Sequence, residues 1–147
     1  MPDTAFSQPE AGDSPGFMLW QVTSSWQRHI STALRPHRLT QVQFVLLASL
    51  LWLEHGVEPI SQIALARHAR LDTMMTSQVL RALAVRGLIA RTPHPQDSRA
   101  KALTLTTAGR TLARKTVPLV ERADADFFSA LGTGRADFLR ALRSLVG

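Results

Sequence analysis

The fold of this chain is decided by residues 60–87, ISQIALARHARLDTMMTSQVLRALAVRG, and by the stretches Asp97-Ser98-Arg99 and Leu103-Thr104-Leu105-Thr106-Thr107-Ala108-Gly109 that follow. The pattern of residues 60–87 predicts a short helix, a tight connection and a second helix with a polar outer face. This is the layout of a helix-turn-helix. The two later stretches predict a basic β-hairpin that closes onto the start of a long helix. Together the three stretches predict a winged helix.

Capping residues and apolar spacing place the elements around this centre. Thr40 and Asp72 are predicted N-caps, and Pro118 predicts a kink or break in the helix that contains it. The helix after Thr40 is apolar nearly all round and should be buried. The predicted helices cover residues 17–35, 41–55, 61–69, 73–86, 107–131 and 135–146, the predicted strands cover residues 88–92 and 101–105, and residues 57–60 form a short extended piece.

The two helices of the helix-turn-helix have predicted core faces. The spacing i, i+3, i+4, i+7 defines the face of the second helix. The expected core residues are Ile63, Ala64, Leu65, Ala66 and Ala69 in the first helix, and Thr76, Val79, Leu80 and Leu83 in the second.

Positive charge is concentrated in the same part of the chain. Residues 61–115 hold ten lysines and arginines against two acids, whereas residues 1–60 hold three bases and five acids. Residues 116–147 hold four of each. A basic segment between neutral or acidic flanks is typical of nucleic-acid binding proteins, and here it coincides with the helix-turn-helix.

Composition bounds the other possibilities. The 147 residues fit one domain, and the absence of cysteine excludes disulfides and thiolate zinc sites. No apolar run reaches the roughly 18–20 residues that a membrane helix needs. Residues 1–16 have neither the basic nor the apolar region of a signal peptide, so we expect a flexible arm and a cytoplasmic protein without membrane contact.

The order of elements and three local motifs resemble the MarR family of bacterial transcriptional regulators. The matching stretches are residues 39–46, residues 65–89 and the wing motif at residues 97–109, and the resemblance covers about residues 17–146. It implies a mainly α fold with a small β-hairpin wing, in which residues 40–106 form a winged helix-turn-helix lobe. Residues 17–35 and 107–147 then form N- and C-terminal dimerisation helices. The sequence departs from the family where Arg70 occupies a turn that often holds glycine, and where Met74-Met75 opens the recognition helix.

The resemblance implies that the second helix of the motif lies in the major groove of double-stranded DNA. There Gln78 is suited to adenine, Ser77 to a base or a phosphate, and the two methionines to thymine methyl groups. Arg99 is implied to enter the minor groove, with Asp97 orienting the wing. Packing in the core or a dimer remains an alternative for the methionines, and solvation for Arg81. The predicted DNA-binding residues are Met74, Met75, Ser77, Gln78, Arg81, Arg67, Arg91, Arg99 and Lys101.

The resemblance also implies a homodimer and a small aromatic or phenolic effector. The predicted core or interface residues are Trp20, Phe127, Phe128, Phe138, Leu142 and Leu145. The predicted effector pocket contains Trp20, Arg28, His29 and Trp52, with Trp26 and His37 nearby in sequence; ordinary core packing and surface positions remain the alternative.

Enzymatic and metal-binding functions find no support in the sequence. It has no glycine-rich phosphate loop, no GxSxG and no HExxH motif, and its five histidines lack ligand spacing. We therefore expect a ligand-responsive repressor without cofactor or metal. The alternative is a winged-helix adaptor that binds another protein, because the fold alone does not determine function.

Overall fold

The computed structural model describes residues 3–56, 59–97, 99 and 101–147. Within these residues the chain is mainly helical with a small antiparallel sheet, which confirms the predicted fold class. The helices are α1 (Pro15–Leu34), α2 (Gln41–Leu53), α3 (Gln62–Ala69), α4 (Thr73–Val85), α5 (Thr107–Phe128) and α6 (Arg135–Val146), and the strands are β1 (Ile60–Ser61), β2 (Ile89–Pro93) and β3 (Lys101–Leu105).

The sheet is built around β3. Both β1 and β2 pair with it in antiparallel register, Ile60 opposite Leu103 and Ile89 opposite Leu105. The hairpin β2–β3 is the predicted wing. Of the extended piece predicted over residues 57–60, the first two residues lie outside the described chain. Because β1 leads directly into α3, its pairing with β3 fixes the start of the helix-turn-helix against the wing.

The core is centred on α2, as its all-round apolar character predicted. Thr40 caps this helix: its Oγ1 accepts a hydrogen bond from Gln43 N, and Gln43 Oε1 accepts one from Thr40 N. The large, fully buried apolar side chains come from α1, α2, α3, α4 and β3: Ile30, Leu34, Leu46, Leu47, Leu50, Leu65, Leu80, Leu83 and Leu103. One apolar core therefore joins α1 to the helix-turn-helix and the sheet.

The predicted core face of α3 was partly wrong. Leu65 and Ala66 are buried, but Ala64 is exposed and the Ile63 side chain is 57% exposed. The helix has eight residues and buries only a narrow stripe, so residues at its N-terminal end face outward. In α4 the predicted face is confirmed, since Thr76, Leu80 and Leu83 are fully buried and Val79 packs against the core.

Of the kink or break predicted before Pro118, the break was wrong, because α5 continues through the proline to Phe128. Thr116 is buried just before the proline and donates a hydrogen bond to Leu112 O (2.8 Å). Val120 and Ala123 are buried just after it. Core packing on both sides of Pro118 therefore holds the helix together where an isolated helix would be weakened.

Both ends of the chain differ in detail from the predicted boundaries. Helix α1 begins at Pro15, inside the segment expected to be an arm, and Ser14 Oγ accepts a hydrogen bond from Phe17 N (3.2 Å). The arm itself contains a 3-10 turn over Ala11–Asp13. Another 3-10 segment, Ser129–Gly134, follows α5 where the long helix was expected to reach residue 131.

None of the described helices has the length and apolar character required to cross a membrane.

Candidate nucleic-acid interface

Helix α4 presents an outward face that its inner packing and its cap define. Asp72 Oδ2 accepts a hydrogen bond from Met75 N (2.9 Å), and Thr76 Oγ1 donates one to Asp72 O (2.8 Å). The first of these bonds satisfies a donor of the first turn that has no partner within the helix. The remaining side chains of the N-terminal half point away from the core, with Ser77 half-buried and the others exposed: Met74, Met75, Gln78 and Arg81.

The two methionines are open to solvent. The Met74 side chain is 72% exposed and Met75 42% exposed, so neither belongs to the core of the chain. A large apolar side chain left in water at a helix start is available to a partner surface.

The wing carries a half-buried arginine and, near its tip, an aspartate that accepts a backbone hydrogen bond. Arg91, on β2, donates through Nη2 to Gln62 Oε1 on α3 (3.1 Å). Asp97 Oδ1 accepts a hydrogen bond from Arg99 N (3.0 Å), which is the turn-forming contact expected of an aspartate at this place. Ser98, between them, lies outside the described residues.

A cleft of about 340 Å³ separates the wing from the helix-turn-helix. Three of its seven lining side chains are cationic and none is acidic. The Arg91 Nε atom is buried and lacks a hydrogen-bond partner among the described residues. The lining residues are Ser61, Gln62, Ile63, Thr73, Arg91, Arg99 and Lys101. The charge of the cleft favours an anionic partner, which cationic side chains bind through charge-assisted hydrogen bonds.

Two other predicted residues, Arg67 and Arg81, are not among those that line this cleft. Arg67 lines a shallower depression of about 570 Å³ with Arg70 and Thr73. Arg81 lies one helical turn beyond Ser77, and its Nη2 is 3.5 Å from Ser77 Oγ, at the limit of a hydrogen bond.

Sequence reasoning missed the polar residues of the cleft, Ser61, Gln62 and Thr73. Ser61 is the N-cap of α3 and Gln62 its first residue, while Thr73 is the first residue of α4. The signal was available, because N–H groups at helix starts favour anions and both starts adjoin the basic wing.

The predicted interface residues form an aromatic row across the terminal helices. Phe127 packs edge-on against Phe128 (ring centroids 5.0 Å apart), and Phe128 lies 5.7 Å from Phe138. Leu142 lines a small apolar cleft of about 200 Å³ with Phe128 and Phe138, against α1 residues that include Trp26. The remaining two, Trp20 and Leu145, are 73% and 78% exposed. Helix α6 contributes no buried residue at all within the described chain.

The four residues of the predicted effector pocket do not line one cleft together among the larger clefts of the described chain. Arg28 lies in a polar groove of α1 with Ser24 and Gln27. The His29 ring packs 5.9 Å from Phe127, and Trp52 is exposed on α2. Their grouping therefore stays a prediction. The part of the chain that the structure describes also holds no cluster of three or more histidine or acidic side chains that suits a metal ion.

A helix-turn-helix, a three-stranded sheet with an extended hairpin, and long flanking helices define a winged helix protein of the transcription-regulator class. The model of the MarR family matches residues 39–101, and the chain belongs to that family.

Its relatives agree with this assignment. The chain is 41% identical to an HTH-type transcriptional regulator of Bacillus subtilis, YdcH, over 96% of this chain and 94% of that protein. It is 34% identical to the HTH-type transcriptional repressor Rv2887 of Mycobacterium tuberculosis, and the match covers 92% of this chain and 96% of that protein.

Solved structures show the same fold. Rv2887, solved in complex with salicylic acid, superposes with a TM-score of 0.67 and covers 92% of this chain and 99% of its own at 33% identity. Bordetella bronchiseptica BpsR, whose DNA binding is regulated by 6-hydroxynicotinic acid, superposes with a TM-score of 0.85. The match covers 95% of this chain and 98% of BpsR at 24% identity.

Proposed function

We propose that this transcriptional regulator binds double-stranded DNA sequence-specifically as a homodimer and represses transcription until a small effector releases it. The observation that carries the proposal is the cationic cleft between the wing and the helix-turn-helix, which Arg91, Arg99 and Lys101 line together without an acidic residue. The cleft lies next to the exposed start of α4, so one surface offers both phosphate contacts and base contacts. Phosphate contacts position such a protein and base contacts specify the sequence.

A backbone phosphate is the acceptor that best fits the cleft. Arg91 lines the cleft with its guanidinium group, while Lys101 and Arg99 bring further positive charge from the wing. Thr73 adds a hydroxyl at the start of α4, where the helix dipole also favours an anion. In this proposal Arg99 reaches the minor groove when DNA is bound, and Asp97 fixes the wing turn from which it extends.

Direct readout falls to the outer face of α4. Gln78 is exposed and its amide can bond adenine through two atoms, and Ser77 can reach a base or phosphate. The exposed methionines suit thymine methyl groups. Arg81 and Arg67 flank this face and serve as phosphate contacts.

The homodimer is supported by apolar surface that a single chain leaves uncovered. In α6 the apolar residues recur at helical spacing, yet none is buried, and the first two turns of α1 are equally open. Large exposed apolar faces mark interfaces. A dimer places two winged helices on half-sites about one helical turn, roughly 34–36 Å, apart.

An aromatic or phenolic effector is supported by a relative. Rv2887, at 33% identity, was solved with salicylic acid. We propose that this chain responds to a molecule of the same chemical class, bound near Trp20, Arg28, His29 and Trp52 once the dimer encloses them.

The decisive experiment is a selection of bound duplexes from a random pool at near-physiological salt, followed by titration of the recovered duplex. We expect a pseudo-palindrome. Arg99→Ala and Arg91→Ala should each weaken binding by about 1–3 kcal/mol, because each removes a guanidinium from the DNA interface. Arg122→Ala is the matched control, because it removes one exposed positive charge from α5, away from the cleft, and should leave the affinity nearly unchanged.

Two outcomes contradict the proposal. If the pool yields only salt-sensitive binding without a sequence, the chain is not a sequence-specific regulator in its free form, and the adaptor alternative is favoured. If Arg122→Ala weakens binding as much as Arg99→Ala does, the protein binds through net charge and the cleft has no particular role.

A further inference from the structure

The turn between α3 and α4 holds an arginine in a conformation that side chains avoid. Arg70 has φ 52° and ψ 45°, the left-handed region. Among the described residues only one other non-glycine has a positive φ, Arg38 at 57°. Glycine adopts this region without steric conflict, whereas a Cβ is disfavoured there. The contacts of the Arg70 side chain therefore have to explain why an arginine occupies this position.

That side chain reaches across the molecule. Its Nη1 donates a hydrogen bond to Val146 O (3.1 Å), the carbonyl of the last residue of α6, which is 76 positions away in sequence. The final carbonyls of a helix have no partner within it and carry partial negative charge, so a guanidinium is well suited to them. No glycine could make this contact.

We infer that Arg70 is a positioning residue, which ties the turn of the helix-turn-helix to the end of α6 and thereby sets where α4 lies against DNA. This inference rests on the proposed DNA binding. The backbone of the turn is firmly joined to α3, because Arg70 N donates to Arg67 O (3.2 Å) and Leu71 N to Ala66 O (3.0 Å). The turn leads directly into α4, so a shift of α6 is passed to the start of that helix.

The position of α6 depends on more than its own chain. No residue of α6 is buried within the described chain, and its aromatic and leucine side chains contact α1 and α5 along only one edge of the helix. Packing against a second copy then decides where its last turn lies. The Arg70 contact links α6, which the proposed dimer positions, directly to the recognition helix α4. Along the chain these two helices are connected only through the wing and α5.

The experiment compares Arg70→Gly with Arg38→Gly in the full chain. Both relax a left-handed residue, but only the first removes the contact with α6. Hydrogen exchange of the amides in residues 143–147 should quicken about fivefold in Arg70→Gly and stay unchanged in Arg38→Gly. Arg70→Lys, which keeps a donor and the charge, should lie between.

The second measurement is affinity for the selected duplex as a function of salt. Arg70→Gly should weaken binding several-fold while the slope of log K against log salt is unchanged. A slope smaller by about 0.9 per protomer identifies Arg70 as a direct phosphate ligand and overturns the inference. Unchanged exchange in residues 143–147 overturns it as well. If the unmodified chain selects no duplex, the proposed function fails, and the exchange result still reports on the bond between Arg70 and α6.

Discussion

Replacing Gly109 by alanine tests how closely α5 approaches the strand that enters the wing. A Cβ built at Gly109 lies 1.8 Å from Leu88 O, 2.8 Å from Leu88 C and 3.2 Å from Leu88 Cα. Real Cβ atoms essentially never come within 3.0 Å of a neighbour, so helix and strand must separate by at least about 1.2 Å. The atoms in conflict belong to the backbone, which cannot turn aside as a side chain can.

The separation acts on bonds that join α5 to the hairpin. Thr106 N donates to Leu88 O (3.1 Å), and Thr106 Oγ1 donates to Gly87 O (2.6 Å) while accepting from Gly109 N (3.0 Å). Overpacking in a tight site destabilises by about 1–3 kcal/mol, and each hydrogen bond that breaks adds about 1 kcal/mol. We expect Gly109→Ala to reduce the free energy of unfolding by about 3–4 kcal/mol.

The assay is urea unfolding at one fixed protein concentration, because the stability of a dimer depends on concentration. Gly16→Ala is the matched control: the same atoms are added on α1, nothing lies within 4 Å of the new Cβ, and stability should be unchanged or rise by up to about 1 kcal/mol. If Gly109→Ala unfolds at the same urea concentration as the unmodified chain, the close approach of α5 to Leu88 is refuted.

Three further predictions concern other parts of the chain. Asp72→Ala should lower the free energy of unfolding by about 1 kcal/mol in thermal unfolding, because the α4 cap is removed. Asp72→Asn keeps a capping oxygen but removes a negative charge, so it should bind DNA more tightly in duplex titration. Leu145→Glu should dissociate the dimer, as measured by sedimentation equilibrium. Val85→Glu, at a similarly exposed position on α4, should leave the dimer intact, and dissociation by Val85→Glu but not by Leu145→Glu contradicts the proposed interface. Trp26→Phe removes the bond from Trp26 Nε1 to Asp124 Oδ1 (2.7 Å) between α1 and α5 and should lower stability by about 1–3 kcal/mol, whereas an unchanged unfolding midpoint argues that water replaces the bond.

The local elements were predictable because their signals are local. Thr40 and Asp72 were predicted as N-caps from residue type and position, and each caps the helix that follows it. The wing motif was identified as a pattern, but its physical reason is tertiary: Thr106 bonds both Gly87 and Gly109, and Gly109 admits the backbone of Leu88. The motif therefore reflects the close packing of α5 against Leu88, and the distance between these two elements cannot be read from the sequence.

The failures have the same origin. Ile63 is apolar and sits in an apolar run, so sequence pattern assigned it to the core, yet it faces the cleft that the wing closes. Pro118 breaks an isolated helix, but here core contacts on both sides outweigh the missing hydrogen bond. The cleft itself depends on Gln62 meeting Arg91 across 29 positions, which no spacing rule predicts.

The structure also reduces the positive charge that residues 61–115 can offer to DNA. Arg110 forms an ion pair with the half-buried Glu54, whose Oε1 also accepts from Leu105 N (3.2 Å). Arg86 donates to Arg38 O (2.7 Å), so its guanidinium is engaged within the fold. Arg70 is engaged in the same way by Val146 O, and the remaining two, Arg114 and Lys115, lie on α5.

Five of the ten basic residues belong to the predicted DNA-binding surface: Arg67, Arg81, Arg91, Arg99 and Lys101. At about 0.9 per phosphate contact, one protomer can then contribute at most about 4.5 to the salt slope. A steeper slope per protomer would show that other basic residues of the segment also reach the duplex. The basic segment therefore serves two purposes, because Arg70, Arg86 and Arg110 make contacts within the fold while five other basic residues are presented to the duplex.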